Sequence, residues 1–401
     1  MSTLWKIYLG ILLVTTAEGG MNIIYPPFLQ KLNYPIAEIG VLVALFGVLQ
    51  LASRLPVGVL YGAAHAKSLY VASLALYIVS TAGYAYDGGT VYIFLLTMLH
   101  GFAFGGIGTI ALAWAIELSG VHSSRGAAMG WYTAALSGGY SIGNFLSGVM
   151  VDHWGYVVAF LALGLAPVVS ILLTLTLPSP AGTINRARRR ADDSATRDWR
   201  ARLAQARRFV TPNLALATLI AFYVNFLDDG FFAFFPLFGL GVGLSLTFIG
   251  LLKSIRSLVA TGLRPMSGAI FRYIHFTTLN NILLVAWALV VFLVPAFHAP
   301  LALLLIFVVI GVSRGLTRVT SATMIADEKA RGVGLASGLY NAGLDVGAFA
   351  GPAIGGLIAD ATDISTMFRA IPVALLIVYF VAAFWVSRAQ SRAAAVDRVS
   401  T

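Results

Sequence analysis

Apolar runs long enough to cross a lipid bilayer recur along almost the whole chain, and few folds accommodate that pattern. Leu69–Tyr84, Val157–Leu177, Leu279–Phe297 and Ile371–Val386 are clear examples. A helix needs ~20 mostly apolar residues to span ~30 Å of hydrocarbon. No water inside the bilayer satisfies a backbone N–H or C=O, so each run is expected to be helical. Charges and turn residues divide the chain into runs at 4–29, 37–60, 67–86, 90–118, 124–150, 154–177, 211–240, 246–270, 275–297, 299–325, 331–360 and 366–388. The pattern predicts an all-α polytopic membrane protein with twelve transmembrane helices. Only 10% of the 401 residues are charged, against roughly 25% in a soluble globular domain.

The net charge of +10 is distributed in a way that argues against nucleic acid as a partner. Nine arginines lie between Arg186 and Arg208, separating spans six and seven. Lys67, Arg125, Arg272, Lys329 and Arg331 occupy short turns, and Arg388, Arg392 and Arg398 the tail. On a twelve-span reading all of these fall on one side, opposite Lys31 and Arg369, which is the positive-inside pattern. It predicts an integral protein of a prokaryotic inner membrane, in contact with the lipid bilayer, with both termini and the 178–210 loop in the cytoplasm. There are no cysteines, so disulfides and thiolate sites are excluded. The N-terminal run contains Glu18 and continues to Tyr25-Pro26-Pro27, unlike a cleaved signal peptide. No phosphate-cradling Gly-x-x-x-x-Gly-Lys-Ser/Thr or His-Glu-x-x-His motif is present, so no cofactor or metal is expected. Asp228-Asp229 has no second acidic cluster to make a metal-dependent enzyme.

The chain also repeats itself. A shift of 210 residues sets Glu18 on Asp228, Tyr25-Pro26-Pro27-Phe28 on Phe235-Pro236-Leu237-Phe238, Arg54 on Arg264, Gly58 on Gly268, and Gly101 and Gly105 on Gly311 and Gly315. Further on, Arg125-Gly126 meets Arg331-Gly332 and Val151-Asp152 meets Ala359-Asp360. The expected organisation is two pseudo-symmetric six-helix bundles, 1–177 and 211–401, joined by the basic linker 178–210.

Two parallel six-helix halves joined by a basic loop describe a known transporter architecture. The residues resemble those of the major facilitator superfamily over nearly the whole chain. The segment from Arg54 through Gly58 to Lys67 is similar to that family's signature loop after span two, with Gly62 and His65 where an Asp and a second Gly are usual. Gly347-x-x-x-Gly351-Pro352-x-x-Gly355-Gly356 in span eleven resembles a glycine-proline motif that the family places in span five, especially in antiporters. Span five has a weaker version from Gly139 to Gly148, and Thr97 stands where span four usually carries an Arg. The resemblance implies that spans one, four, seven and ten line a central cavity and that the protein works as a monomer.

A charge at the bilayer centre costs at least ~2.5–3.5 kcal/mol, so it faces a cavity or a partner. Glu18, Asp228, Asp229 and Asp345 are the acids in apolar runs, and so the proton-coupling candidates. Lys253 and Arg256, three apart on one helix face, and Arg314 and Arg318 are the bases. Each acid is either a proton site or the permanent partner of a base. The bases are either ligands for an anion or partners of the acids. Substrate-binding candidates are Asn22, Tyr25, His100, Asn225, Phe232, Lys253, Arg256, Arg314, Tyr340 and Asn341. Gating candidates are Arg54, Gly58, Arg264, Gly268, Gly347, Gly351, Pro352 and Gly355; small residues four apart let two helix backbones approach closely, with or without sliding. The expected function is alternating-access transport driven by protons, exporting a small organic compound by antiport. The alternatives are a proton-coupled organic-anion transporter, a membrane enzyme, or a receptor that does not transport.

Overall fold

The computed structural model describes residues 3–61, 65–86, 88–122, 125–177, 211–326 and 333–399. The linker 178–210, residues 62–64 of the signature-like loop, and Lys329 and Arg331 lie outside the described residues. Every regular element among the described residues is helical. In chain order they are α1 (Thr3–Lys31), α2 (Ile36–Leu60), α3 (Ala66–Gly83), α4 (Gly89–His122), α5 (Arg125–Leu175), α6 (Pro212–Gly241), α7 (Leu246–Leu263), α8 (Ser267–Ile270), α9 (Phe276–Leu293), α10 (Pro300–Ala326), α11 (Val333–Ala361) and α12 (Ile364–Val399), with a 3₁₀ turn, Val294–Ala296, after α9.

Spans five and six are the two limbs of α5. Helix was expected to end near residue 150; instead it runs on until Gly155, whose φ of 82° and ψ of 173° break it, a conformation that glycine tolerates without a Cβ clash. Spans seven and eight are α6 and α7. The eighth was expected to reach residue 270, but α7 stops at Leu263 and the single turn α8 follows. Pro265 accounts for this, because proline disfavours helical geometry at the residue before it. Ten stretches of described helix are long and apolar enough to cross a membrane, one of them holding both limbs of α5. The short α3, with Ser68, Ser73, Ser80 and Thr81, is not among them.

The repeat is visible in the backbone. After α1, Asn33 adopts φ 62°, and after α6, Gly243 adopts φ 86°. Tyr34 N–H donates to the Leu29 carbonyl and Asn33 N–H to that of Gln30; Leu244 N–H donates to Gly239 and Gly243 N–H to Leu240. This is the Schellman ending, which satisfies the last carbonyls of a helix, placed 210 residues apart in the two halves.

Contacts divide the described residues into two compact units, and the division runs through α6 after Phe232. The first unit holds α1–α5 with residues 233–261; the second holds the start of α6 and the chain from Gly262 onward. Within the first, α1 crosses α5 at glycine contacts: a Cβ on Gly139 would strike the Leu12 carbonyl, one on Gly143 the Thr16 carbonyl, and one on Gly19 would lie 2.5 Å from the Tyr140 carbonyl. Within the second, α6 crosses α11 in the same manner. A Cβ on Gly343 would lie 2.6 Å from the Thr218 carbonyl, and one on Gly351 would lie 2.9 Å from the Gly230 nitrogen. In lipid, such close van der Waals approach is what holds helices together.

Candidate functional site

Glu18 lies in the middle of α1 and is 2% exposed. Its Oε2 receives the Tyr77 hydroxyl from α3 at 3.1 Å and meets Nε2 of His100 from α4, also at 3.1 Å. The cluster sits in an aromatic box. The His100 ring contacts Tyr77 at 4.8 Å between centroids, Phe46 at 5.1 Å and Tyr84 at 6.0 Å, and Phe104 stacks on Phe46. One turn toward the other end of α4, Thr97 Oγ1 pairs with the hydroxyls of Tyr25 at 2.5 Å and Tyr84 at 3.2 Å. An isolated carboxylate is strongly disfavoured in such surroundings. An imidazole and a phenol make the charge tolerable.

The repeat counterpart is built differently. Asp228 on α6, 2% exposed, forms an ion pair with Arg314 of α10, whose side chain is 19% exposed. Position 310, the counterpart of His100, is Ile310, and position 314 is the counterpart of Phe104. A guanidinium does not deprotonate in proteins, so Asp228 has a permanent cation beside it. Asp229, the next residue, is half-buried, as the 100° between adjacent helix positions requires.

Lys253 on α7 is 4% exposed and donates to the Asn22 carbonyl at 3.0 Å. That carbonyl would ordinarily accept from the N–H four residues later, but residue 26 is proline and has none. The buried ammonium therefore satisfies the acceptor that Pro26 leaves open, one turn from Glu18. Two further contacts seat α7 in the first unit. Ser254 Oγ lies 2.5 Å from the Ser141 carbonyl. Asp152 accepts the N–H groups of Leu246 at 3.3 Å and Thr247 at 2.8 Å, and the Thr247 hydroxyl at 2.7 Å. A carboxylate there complements the positive N-terminus of α7.

The other expected residues are dispersed. Tyr25 is buried on Thr97, and Asn225 donates to the Leu344 carbonyl at 3.0 Å. Tyr340 pairs with Ser321 at 2.9 Å, and Phe232 packs on Phe231 and Phe307. Arg256 is buried on α7, Asp345 is half-buried on α11, and Asn22 and Asn341 are exposed. Arg54 is exposed and Arg264 half-buried. A Cβ on Gly58 or Gly268 would meet nothing within 4 Å, whereas Gly347 and Gly351 are backbone crossing points and Pro352 and Gly355 are buried beside them. Tyr77 and Tyr84 were missed, although Tyr70, Ser73, Tyr77, Ser80 and Tyr84 recur three and four residues apart along α3 and its C-cap, the signal that could have found them. Asp152 entered only as a repeat match, and nothing local marks it as a helix cap. Among the described residues no group of three or more His, Asp and Glu side chains could hold a metal ion.

Comparison with known proteins decides the family. The sequence profile of the Major Facilitator Superfamily matches residues 7–333 and 281–398. The chain belongs to the Major Facilitator Superfamily. As a member it is an integral membrane transporter for small molecules rather than an enzyme. It is 25% identical over 402 aligned residues to multidrug resistance protein 1 of Bacillus subtilis, covering 98% of this chain and 97% of the relative. An uncharacterized MFS-type transporter of Methanocaldococcus jannaschii is 21% identical over 348 residues, 85% of this chain and 87% of the relative. The same superfamily fold is seen in a mutant of the nucleoside transporter NupG, with a TM-score of 0.79 at 14% identity over 95% of this chain and all of that one. It is seen again in an inward-facing, unoccupied bacterial homologue of the human lysosomal transporter Spinster, with a TM-score of 0.73 at 16% identity and 96% coverage of both chains.

Proposed function

We propose that this chain is a proton-coupled antiporter that exports a small organic compound, with Glu18 and His100 as its proton site. The observation that carries the reading is the asymmetry between the halves. At equivalent repeat positions one buried carboxylate meets a group that titrates, His100, and the other meets one that does not, Arg314. Only the first pair changes its net charge when a single proton enters or leaves near neutral pH. Of this pair of acids, the reading assigns coupling to Glu18 and takes Asp228 as the fixed member of an ion pair.

Export is supported by the likeness to a multidrug resistance protein over almost the full length of both chains. Movement of an organic anion would need free cations at the substrate path, and Lys253 and Arg314 are occupied by the Asn22 carbonyl and by Asp228. In this reading the bundles 1–177 and 211–401 rock about a midplane site in alternating access. The protein works as a monomer in the inner membrane with both termini in the cytoplasm. The test uses the protein in proteoliposomes under an imposed pH gradient, reading proton flux on addition of lipophilic cations, neutral drugs or organic anions. Compound-dependent proton flux that Glu18→Gln abolishes is the expected result. Proton-driven transport that survives Glu18→Gln removes Glu18 from the mechanism, and flux evoked only by anions reverses the substrate assignment.

A further inference from the structure

Two side chains, not His100 alone, converge on the Glu18 carboxylate. The Tyr77 hydroxyl and His100 Nε2 reach the same oxygen, Oε2, each at 3.1 Å. A phenol near a carboxylate is a donor, so the Tyr77 contact favours the ionised state of Glu18 over the protonated one. The proton that the pair exchanges lies on the other contact, between Oε2 and Nε2. When it is present the cluster is neutral, as the imidazolium–carboxylate pair or as neutral imidazole and carboxylic acid. When it leaves, one negative charge stays on a group that is 2% exposed among aromatic rings. What then stabilises that charge is the phenol.

The other ionisable groups around the cluster are Tyr84, Tyr140 and Lys253. From α3, Tyr84 is turned to Thr97 and Tyr25. From α5, Tyr140 is half-buried, with its backbone against Gly19 of α1. From α7, Lys253 is committed to the Asn22 carbonyl one turn along α1. From α2, Phe46 brings no polar atom. The repeat supplies an internal comparison. The counterpart of Tyr77 at the 210-residue shift is Trp287, fully buried on α9. Its indole N–H has no hydrogen-bond partner among the described residues. A donor at this place in the helix is used where the carboxylate must become charged without a permanent cation. It is unused where Arg314 already provides one.

We propose that Tyr77 is a positioning residue of the proton site, holding Glu18 for proton release and setting the pH at which the Glu18–His100 pair exchanges its proton. This rests on the reading of Glu18 as the coupling carboxylate. Removing a donor from a charged acceptor raises the acceptor's affinity for its proton, so the shift in Tyr77→Phe is toward alkaline pH. A hydrogen bond to a charged group predicts a displacement of about one pH unit.

The experiment has two readouts on the full-length protein. In proteoliposomes, the pH dependence of compound-driven proton flux is measured for the wild type and Tyr77→Phe. In detergent, the carboxylic C=O band is titrated by infrared difference spectroscopy, with Glu18→Gln identifying the Glu18 band. The expected result is an alkaline displacement of both midpoints by about one unit in Tyr77→Phe. Unmoved midpoints in a folded Tyr77→Phe protein overturn the proposal. If Glu18→Gln keeps proton-linked flux, the functional reading falls, but the infrared titration still decides whether Tyr77 tunes Glu18. Should Tyr77→Phe unfold, Tyr77→Met, which keeps an apolar side chain of useful bulk and likewise carries no donor, takes its place under the same criteria.

Discussion

Lys253 shows how one residue's role is decided by its neighbour's missing atom. As a buried cation it reads equally well as an anion ligand or as the partner of an acid. One partner it has is the carbonyl that Pro26 deprives of a helical donor. Lys253→Met keeps the bulk but orphans that acceptor, and should destabilise the protein by about 1–3 kcal/mol, the cost of an unsatisfied buried polar group. Thermal unfolding in detergent measures it, and Lys253→Met/Pro26→Ala should recover part of the loss. Asp228→Asn leaves Arg314 without its anion, a change that costs about 3–5 kcal/mol at a fully buried pair. The 19% exposure of Arg314 sets the expectation at the low end of that range. Asp363, ahead of α12, accepts from the Thr366 N–H at 2.9 Å and its hydroxyl at 2.6 Å. These bonds hold its pKa below the ordinary 3.8. Because the folded pKa is the lower one, this contribution is present above pH ~3.8 and fades as pH falls through the folded value. A pH series of melting temperatures should show Asp363→Ala less stable than the wild type at neutral pH and the difference closing in acid.

Elements meet where glycine allows it. The crossings α1/α5 and α6/α11 bring a Cβ position against a neighbouring backbone carbonyl, so there is no side-chain end to move aside. Gly143→Val or Gly347→Val should sharply reduce the yield of folded protein, seen as loss of the monodisperse peak in size-exclusion chromatography. Gly58→Ala and Gly268→Ala, with open space around them, should leave the unfolding free energy within about 0.5 kcal/mol of wild type, as for ordinary surface changes. A transport defect in either without a stability change would place its role in another conformation. Asp152 fastens α7 by its first N–H groups; Asp152→Asn removes the charge but keeps an acceptor, an expected loss of about 0.3–1 kcal/mol.

For the whole molecule, the expectation concerns what it binds. A ligand that binds only the folded state stabilises it by RT ln(1 + [L]/Kd), about 2.7 kcal/mol at a hundredfold excess over Kd. With Lys253 and Arg314 engaged inside the protein, lipophilic cations or neutral compounds should raise the melting temperature and organic anions should not. The cation shift should shrink in Glu18→Gln if substrate and proton compete. Stabilisation by anions that Arg256→Ala abolishes would move the organic-anion reading ahead.

The twelve helices, the two halves and the buried acids were legible in the sequence because each rests on a local or periodic property. Bilayer thickness sets the length of an apolar run, the repeat preserves Glu18 opposite Asp228, and a carboxylate in an apolar run stands out by its cost. Helix ends were less legible, since Gly155 and Pro265 act through backbone geometry that an apolar average smooths over. Partner choice was not legible at all. Nothing in the spacing of Glu18, Tyr77 and His100, separated by 59 and 82 residues along the chain for the two contacts of Glu18, reveals that one oxygen serves both. Nor does the repeat reveal that its counterpart, Asp228, meets an arginine. The sequence by itself determined which charged residues must be accounted for inside the membrane, because burial makes an isolated charge costly wherever it lies. Only the tertiary structure decided which of them meet, because that depends on distances of about 3 Å between helices that the chain brings together only when packed.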